Sequence, residues 1–205
     1  MKKNKSSKSW IIKQHRDQFY KKSKVLGYRS RSAFKLIELN KKYKFLKKNI
    51  NLLDIGCSPG GWIQVAKETI KIGKIVGIDI KPMEKIENTV FFKSDFLEDS
   101  VRNRLLEFFK DKIDVIISDM AADTTGNKDL DCIRTNNLCS EVINFSLKML
   151  KKDGTLISKI FMGEDFLEVK DLAHKHFKKV NFYKPESSRN ESRETYLHCT
   201  ILNTL

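Results

Sequence analysis

Short apolar runs alternate with longer amphipathic stretches along most of this chain. The apolar runs are rich in Val, Ile and Phe and predict seven strands, at residues 49–55, 74–79, 89–93, 113–119, 155–161, 178–183 and 195–202. Apolar residues at helical spacing predict helices at residues 10–25, from Ser30 or Ser32 to 43, and at 60–70, 99–110, 129–150 and 164–177. Because helices separate most of the strands, we expect an α/β fold with a doubly wound, mostly parallel sheet and helices on both faces.

The last two predicted strands are joined without a helix, only by residues 184–194. Such a connection favours an antiparallel pair, so the seventh strand is expected to run against the sixth. Gly27 is expected to end the first helix, and Asp153 with Gly154 to form a turn before the fifth strand. We divide the chain into a basic, partly disordered extension over residues 1–25, with disorder at its extreme start (1–9), and one domain over residues 26–205.

The net charge of +14 is concentrated in the first quarter of the chain. Residues 1–48 hold 17 Lys and Arg but only Asp17 and Glu38 as acids, whereas residues 49–205 hold 23 basic and 24 acidic residues. Aromatic residues lie among these basic residues, and a basic segment that carries aromatic rings is typical of a nucleic-acid contact. A solubilising tail or a contact with an anionic membrane is the alternative. It suits the extreme N-terminus better than residues 28–45, which have helical order.

Other classes of protein are disfavoured by hydropathy and by cysteine usage. No apolar run approaches the roughly 18 residues of a membrane-spanning helix, and none follows the basic start as in a secretory signal. The cysteines form no C-x-x-C pair and no zinc pattern with the histidines; they are Cys57, Cys132, Cys139 and Cys199. We interpret them as reduced structural thiols. We expect an intracellular protein, cytoplasmic or organellar, that is not secreted, contacts no membrane and binds no metal.

The most informative segment is Asp54-Ile-Gly-Cys-Ser-Pro-Gly-Gly-Trp62, which follows the first predicted strand and opens a helix. Glycines let the backbone adopt positive φ and let a ligand approach closely, so the loop predicts a nucleotide cradle. The glycines depart from the G-x-G-x-x-G spacing of dinucleotide-binding loops, because Ser58 occupies the second glycine position. The spacing instead resembles the first motif of S-adenosylmethionine-dependent methyltransferases. An ordinary turn between strand and helix is the alternative.

Acidic residues end the strands that follow this loop. Asp79 comes 23 residues after Gly56, close to the spacing of an acid that binds ribose hydroxyls. Asp95 follows the third strand, where it would meet an adenine amino group, and Asp119 ends the fourth; a helix cap or a solvated strand end is the alternative for each acid alone. Ligands of such sheets bind outside the carboxyl ends of the strands. The expected cofactor-binding residues are therefore Asp54, Gly56, Ser58, Pro59, Gly60, Gly61, Trp62, Asp79, Ile80, Asp95, Phe96 and Asp119.

Five motifs occur in order between residues 22 and 199. They are Gly27-Tyr-Arg-Ser-Arg-Ser-Ala-Phe-Lys-Leu36, the glycine loop, Ser118-Asp-Met-Ala121, Ser158-Lys-Ile-Phe161, and Lys184-Pro-Glu-Ser-Ser-Arg189 with Ser192-Arg-Glu194. Together they resemble the FtsJ-type RNA 2′-O-ribose methyltransferases, most closely those that methylate uridine ribose in large-subunit ribosomal RNA. The resemblance implies a Rossmann-like class I methyltransferase fold whose seventh strand is antiparallel. It also implies S-adenosylmethionine as cofactor, S-adenosylhomocysteine as product, ribosomal RNA or the assembled large subunit as partner, and a monomer.

The resemblance also places a catalytic set on this chain. The family's Lys-Asp-Lys-Glu residues fall on Lys35, Asp119, Lys159 and Glu194. A ribose 2′-hydroxyl is a poor nucleophile until its proton leaves, and a lysine accepts a proton only when neutral. Lys159 stands inside an apolar strand, where lysine is unusual without a partner; an amine that extends past the strand end to solvent is the alternative. We expect Lys159 to act as the base or to position the hydroxyl directly, while the other three orient it.

One departure from the family pattern limits what the resemblance implies about the substrate. Ala122 and Asp123 stand where the family has Pro-Asn after Ser-Asp-Met-Ala, so the substrate-side loop departs from the pattern.

We expect RNA phosphates to be bound by Arg29, Arg31, Lys41, Lys42, Arg189 and Arg193. Two alternatives stay open: the same chemistry on a tRNA anticodon loop or an mRNA cap, and a non-catalytic RNA-binding ribosome-assembly factor on the same fold.

Overall fold

A seven-stranded sheet runs through the computed structural model, which describes residues 17–203. Its strands are β1 (Leu52–Ile55), β2 (Ile75–Asp79), β3 (Val90–Lys93), β4 (Ile113–Ser118), β5 (Leu150–Phe161), β6 (Phe177–Tyr183) and β7 (Glu194–Leu202). The spatial order is β3-β2-β1-β4-β5-β7-β6, and all neighbouring pairs are parallel except those of β7 with β5 and β6. The predicted α/β fold with an antiparallel seventh strand is confirmed.

Helices cover both faces of this sheet. They are α1 (Gln18–Val25), α2 (Ala33–Tyr43), α3 (Gly61–Thr69), α4 (Asp99–Phe109), α5 (Lys128–Met149) and α6 (Phe166–His176). Apolar side chains of α2 and α3 pack with Leu52 and Val115 in one core, and those of α4, α5 and α6 pack with Leu53 and Ile116 in the other. Successive residues of a strand point to opposite faces, so each central strand contributes to both cores. Strands buried on both faces explain why their sequences read as continuous apolar runs.

Helix α1 joins the fold by packing on α2. The Asp17 carboxylate caps its first turn, accepting hydrogen bonds from the backbone N–H groups of Phe19 at 3.0 Å and Tyr20 at 3.1 Å. The ring of Phe19 then lies 5.5 Å from that of Phe34 on α2. The predicted disorder of residues 1–9 and the predicted helical residues 10–16 lie outside the described residues.

One local prediction is wrong. Strand β5 begins at Leu150, and the turn predicted at Asp153 and Gly154 is a bulge within it, where the register against β4 shifts. A bulge accommodates extra residues without ending the strand. Ser32 is the N-cap residue of α2, but its hydroxyl lies 2.6 Å from that of Ser30 and caps no backbone N–H.

The antiparallel course of β7 decides which residues meet at one edge of the sheet. Ser118 of β4 pairs with Ser158 of β5, so Asp119 and Lys159, which follow them, lie side by side. Because β7 runs in the opposite direction, it begins where β5 ends, and Glu194 lies opposite the last residue of β5. The carboxyl edge of the sheet therefore gathers charged residues from three neighbouring strands.

Two kinds of feature are absent from residues 17–203. No helix there combines the length and the apolar character that crossing a membrane requires. No group of three or more His, Cys, Asp or Glu side chains in that part of the chain is arranged to hold a metal ion. The four cysteines are free thiols and are buried. The expectations of a metal-free protein and of a monomer stay predictions.

Candidate active site

Two lysine–carboxylate pairs meet at the carboxyl edge of the sheet. In the first, Nζ of Lys159 lies 2.7 Å from Oδ1 of Asp119 and donates a 2.8 Å hydrogen bond to the backbone carbonyl of the same residue. In the second, Nζ of Lys35 on α2 lies 2.6 and 2.8 Å from the two carboxylate oxygens of Glu194. All four side chains are largely buried, with at most 18% of their surface exposed. The fold thus pairs the four residues of the predicted catalytic set.

Tyr196 links the two pairs. Its hydroxyl donates a 2.5 Å hydrogen bond to Oδ1 of Asp119, and Nζ of Lys35 lies 5.9 Å from the centroid of its ring. Burial, followed by the carboxylates of Asp119 and Glu194, raises the pKa of Tyr196 well above its ordinary value, so the phenol remains a donor. The sequence reasoning missed this residue, although the alternation along β7 places it on the same face as Glu194.

Asp119 keeps its negative charge in this cluster. Burial raises the pKa of its carboxyl, but the ammonium groups of Lys159 and Lys35 oppose that effect, as do hydrogen bonds from Lys159 and Tyr196. Together they hold the pKa of Asp119 below its ordinary value of 3.8. A carboxylate fixed in this way gives the amine of Lys159 a permanent acceptor and therefore a fixed position.

The glycine loop between β1 and α3 encloses a cavity next to these pairs. The cavity has a volume of about 50 Å³ and is lined by Ser32, Asp54, Gly56, Cys57, Ser58, Trp62 and Asp119. Gly56 and Gly60 have φ values of 78° and 107°, which favour glycine. A Cβ atom at Gly56 would also collide with the side chain of Met120. The loop therefore presents backbone to the cavity, and Asp119 belongs to both the cavity and the charged cluster.

Asp54 is the group in this cavity that most needs a ligand. Its side chain is fully buried, and neither carboxylate oxygen has a hydrogen-bond partner among residues 17–203. Burial, followed by the charges of Asp119 and Asp79, raises the pKa of Asp54 well above its ordinary 3.8. A buried acceptor without a donor is costly. A cofactor that carries an ammonium and a sulfonium, as S-adenosylmethionine does, would supply the missing donors and positive charge.

Comparison with known proteins agrees with this arrangement. The sequence model of the FtsJ-like methyltransferases matches residues 28–202, which is most of the chain. This chain belongs to the FtsJ-like methyltransferase family. The doubly wound sheet with its reversed last strand is thus the Rossmann-like class I methyltransferase fold that the motifs imply.

Individual members of the family are similar over nearly the whole chain. The ribosomal RNA large subunit methyltransferase E of Pelagibacter ubique is 50% identical over 202 residues, which cover 98% of this chain and 100% of that protein. The protein of the same name from Rickettsia felis is 39% identical, covering 94% and 87%. A crystal structure of a ribosomal RNA methyltransferase from Plasmodium falciparum has a TM-score of 0.76 at 38% identity and covers 85% and 98%. Human methyltransferase-like protein 13, solved in complex with SAH, shares the fold at 16% identity (TM-score 0.59, covering 82% and 79%).

In this FtsJ-like protein, Asp79 braces the glycine loop. Its carboxylate, at the end of β2, accepts hydrogen bonds from the backbone N–H of Ser58 at 2.9 Å and of Lys81 at 2.7 Å. The next residue, Ile80, is 60% exposed. Neither residue lines the 50 Å³ cavity, so their contact with the ribose of the cofactor stays a prediction.

Three other predicted cofactor residues use their side chains within the protein. Asp95 accepts a 2.9 Å hydrogen bond from the backbone N–H of Leu97. The buried ring of Phe96 packs edge-on against Phe145, with centroids 5.2 Å apart, so Phe96 can reach a ligand only through its backbone. The indole N–H of Trp62 donates to the carbonyl of Ser32 at 2.8 Å, although Trp62 also lines the cavity.

The guanidinium of Arg29 is already bound to backbone carbonyls of the protein. It donates hydrogen bonds to the carbonyls of Pro59 at 3.2 Å, Glu84 at 2.7 Å and Lys85 at 3.2 Å. These contacts join the glycine loop to the segment that follows β2. The structure therefore gives Arg29 a supporting role in the cofactor loop, and its predicted contact with RNA stays a prediction.

The other predicted RNA-binding residues lie on the outer side of the charged cluster. Arg193 pairs with Asp129 at 2.6 Å. Nζ of Lys42 lies 4.3 Å from the centroid of the Tyr183 ring, and Lys41 beside it is exposed. Arg31 and Arg189 both approach the carboxylate of Asp17. Nothing in the structure assigns these five residues to RNA, so that role also stays a prediction.

A clamp formed by Glu38 of α2 and by Arg31, which precedes α2, holds the connection between β6 and β7. The carboxylate of Glu38 accepts hydrogen bonds from the backbone N–H of Glu186 at 2.6 Å and of Ser187 at 3.1 Å. Arg31 donates to the carbonyl of Ser187. Glu38 lies about one helical turn from Lys35, so one face of α2 holds both Lys35 and the loop that leads to Glu194. Sequence reasoning counted Glu38 only as a charge, and no local signal identified its partners.

Replacing Glu38 by alanine is expected to lower kcat by about 10- to 100-fold, because the loop before Glu194 loses two anchored N–H groups and the Lys35 pair shifts. The affinity for S-adenosylmethionine should stay unchanged, since Glu38 is not among the residues that line the cavity. Steady-state methyl transfer and calorimetric cofactor titration measure the two effects. The matched control is Glu141→Ala, which removes a surface pair with Arg102 of 2.7 Å. Equal activities for the two variants would contradict the clamp.

Proposed function

We propose that this protein transfers the methyl group of S-adenosylmethionine to a ribose 2′-hydroxyl of large-subunit ribosomal RNA. The observation that carries the proposal is that Asp119 belongs to both the cavity and the charged cluster. That residue lines the cavity in which Asp54 has no partner, and it also holds the amine of Lys159. Relatives that are 50% and 39% identical carry the name ribosomal RNA large subunit methyltransferase E, which supports this choice of RNA.

The cofactor half of the site is made of bare backbone and carboxylates. Asp54 and Asp119 would hold the positively charged methionine part, and Gly56, which also lines the cavity, presents only its backbone there. Asp79, Asp95 and the backbone of Phe96 would hold the nucleoside part. When bound, the cofactor supplies a methyl group on a sulfonium, which needs no further activation. The remaining task of the protein is to orient the hydroxyl for in-line attack and to remove its proton.

Lys159 is suited to that task by its two contacts with Asp119. A neutral amine has two N–H donors and one lone pair, whereas the ammonium form has three donors. The carboxylate and the carbonyl of Asp119 accept two of the three ammonium donors, so only the third position of the nitrogen is open to the 2′-hydroxyl; loss of the proton there frees the lone pair that takes the proton of the hydroxyl. Lys159 would keep this proton once the hydroxyl oxygen has received the methyl group that the bound cofactor would supply. Lys35, Glu194 and Tyr196 fix Asp119 and exclude water from the cluster.

Labelled S-adenosylmethionine distinguishes this proposal from its alternatives. The purified protein is incubated with unmodified large ribosomal subunits, naked large-subunit RNA, tRNA and capped mRNA, and the labelled nucleotide is then mapped. We expect ribose methylation in large-subunit RNA, with the assembled subunit preferred because the chain has little room for a separate RNA-reading module. Label only in tRNA or in the cap would refute the choice of RNA. Cofactor binding without transfer to any RNA would favour the assembly factor.

The domain boundaries, the oligomeric state and the compartment form part of the same proposal. Residues 26–205 would constitute one methyltransferase domain, and residues 1–25 a basic extension whose described part, α1, docks on α2. The protein would act as a monomer on the large subunit, in the bacterial cytoplasm or the organelle where that subunit is assembled. Sedimentation of the purified protein, alone and with large subunits, measures both the oligomeric state and the partner.

Binding to RNA is expected to weaken steeply with salt. For single-stranded RNA, each phosphate contact adds about −0.7 to the slope of log K against log salt. Replacing both Lys41 and Lys42 by alanine should therefore make the slope shallower by about 1.4. The matched control replaces Lys178 and Lys179, which are also adjacent in sequence and exposed. They lie at the start of β6, at the edge of the sheet opposite the carboxyl edge. Fluorescence anisotropy at several salt concentrations measures the slope, and an identical change in both double variants would contradict a specific contact.

A further inference from the structure

A second, larger cavity opens at the same edge of the sheet as the charged cluster. It has a volume of about 440 Å³ and is lined by Met162, Phe166, Phe182, Lys184, Ser192, Arg193, Glu194 and Thr195. Glu194 belongs both to this cavity and to the pair with Lys35. Met162 follows Lys159 by three residues along an extended chain, which corresponds to about 10 Å. The cavity therefore adjoins the reacting groups, and the cofactor cavity shares no lining residue with it.

Apolar side chains provide the flat surfaces of this cavity. The rings of Phe166 and Phe182 have centroids 4.9 Å apart and are inclined by 54°. Both rings are partly exposed, and 51% of Met162 is exposed. Apolar groups left open to solvent in a concave site usually mark a binding surface. Aromatic faces and a thioether are surfaces against which a flat, weakly polar ligand packs well.

Hydrogen bonds hold the walls of the cavity in place and keep two cations beside its apolar surface. Nζ of Lys184 donates to the carbonyls of Asn190 at 3.2 Å and Ser192 at 2.7 Å. The backbone N–H of Met162 donates to the carbonyl of Arg193 at 2.9 Å, which joins the end of β5 to the start of β7. The guanidinium of Arg193 is 42% exposed and pairs with an exposed carboxylate, so it can exchange that partner for a phosphate.

We propose that this cavity holds an unstacked nucleobase of the RNA substrate, from a nucleotide that flanks the methylated ribose. The inference rests on the proposed function, because it places RNA over the Lys159 cluster. Proteins that bind unpaired RNA stack bases on aromatic side chains, and one such contact changes affinity by about 5- to 100-fold. The cavity volume also falls within the range of about 300–1,000 Å³ that is usual for small-ligand sites. The base beside the target would then contribute to the choice of nucleotide.

Replacing Phe182 by leucine tests the surface of the cavity, since it removes the ring and keeps an apolar side chain. We expect the affinity for the RNA substrate to fall at least 5-fold while the affinity for S-adenosylmethionine is unchanged. Phe108→Leu is the matched control: its ring is also partly exposed and packs edge-on against Phe92, with centroids 5.5 Å apart, at the other end of the sheet. Thermal unfolding of both variants shows whether they fold equally well. Equal RNA affinities for the two folded variants would overturn the proposal.

RNA that lacks a single base tests whether a nucleobase occupies the cavity. Once the methylated nucleotide is mapped, naked RNA with an abasic residue on either side of it is titrated against the wild-type protein and the Phe182→Leu variant. We expect one abasic position to weaken binding of the wild type and to have no further effect on the variant. Equal losses for both proteins would overturn the proposal. A Phe182 effect that is found with assembled subunits but is absent with naked RNA would also overturn the proposal, because it would place a protein side chain in the cavity.

If no RNA is methylated by the wild type, the proposed function fails. If methylation occurs and these effects are missing, only this inference fails.

Discussion

Replacing Lys159 by glutamine is expected to reduce methyl transfer by about 10²- to 10⁴-fold, the usual contribution of a positioned general base. Glutamine retains an N–H donor for Asp119, but its amide nitrogen is not basic and cannot take up the hydroxyl proton. The loss should appear in kcat, since the cofactor cavity does not contain Lys159. Single-turnover transfer of labelled methyl to the mapped RNA measures the effect.

The same strand supplies a matched control for this prediction. Lys151, also on β5, forms an ion pair of 2.7 Å with Asp114, the same distance as the Lys159–Asp119 pair, but at the opposite end of the strand. Lys151→Gln should leave kcat within about 2-fold of the wild type, because surface pairs contribute little. Calorimetric titration with S-adenosylmethionine shows that both variants are folded. Near-normal transfer by Lys159→Gln would remove Lys159 from the proposed mechanism.

Replacing Asp54 by asparagine is expected to have opposite effects on stability and on cofactor binding. The ligand-free protein should become more stable at neutral pH, because burial and the charges of Asp119 and Asp79 disfavour a carboxylate at this position and the amide carries no charge. The affinity for S-adenosylmethionine should fall by about 10- to 100-fold, which corresponds to the loss of a charged hydrogen bond. Chemical denaturation and calorimetric titration measure the two quantities on the same sample.

The pH dependence of stability provides a second test of Asp54. Its pKa is raised in the folded protein, so between the ordinary value of 3.8 and the folded value the folded state binds more protons than the unfolded state. The free energy of unfolding should therefore fall as pH rises through that window, and Asp54→Asn should remove this part of the fall. Since a cationic cofactor favours the carboxylate, its binding should release a proton in the same window. Calorimetry in two buffers of different ionisation enthalpy measures the release.

Asp114→Asn is a suitable control for both measurements, because the carboxylate of Asp114 already has partners in Lys151 and the backbone N–H of Asn51. It should leave cofactor affinity unchanged and should not stabilise the protein. If Asp54→Asn binds S-adenosylmethionine as tightly as the wild type, the carboxylate is not a ligand of the cofactor. If its stability also follows the wild-type pH curve, Asp54 is not buried as an unpartnered acid.

Sequence alone predicted most of the fold, because the signals that specify it are local. Apolar runs and amphipathic periods located all seven strands and their order along the chain. The missing helix before the last strand indicated its direction. The bulge in β5 was missed because Asp153-Gly154 is an equally good turn signal, and only the pairing of the flanking residues with β4 decides between them.

The cofactor loop and the identities of the four charged residues also came from the sequence, through motifs whose spacing is short. The pairing of Lys35 with Glu194 did not. Lys35 and Glu194 become partners only because β7 is reversed and starts at the edge where β5 ends. The isolation of Asp54, the link through Tyr196 and the clamp at Glu38 depend in the same way on which strands and loops become neighbours. The sequence determines local geometry, because backbone φ preferences, the spacing of apolar residues and the residues that favour turns all act within a few positions. Hydrogen-bond partners, burial and the resulting pKa shifts arise between residues far apart in the chain, and only the tertiary structure decides them.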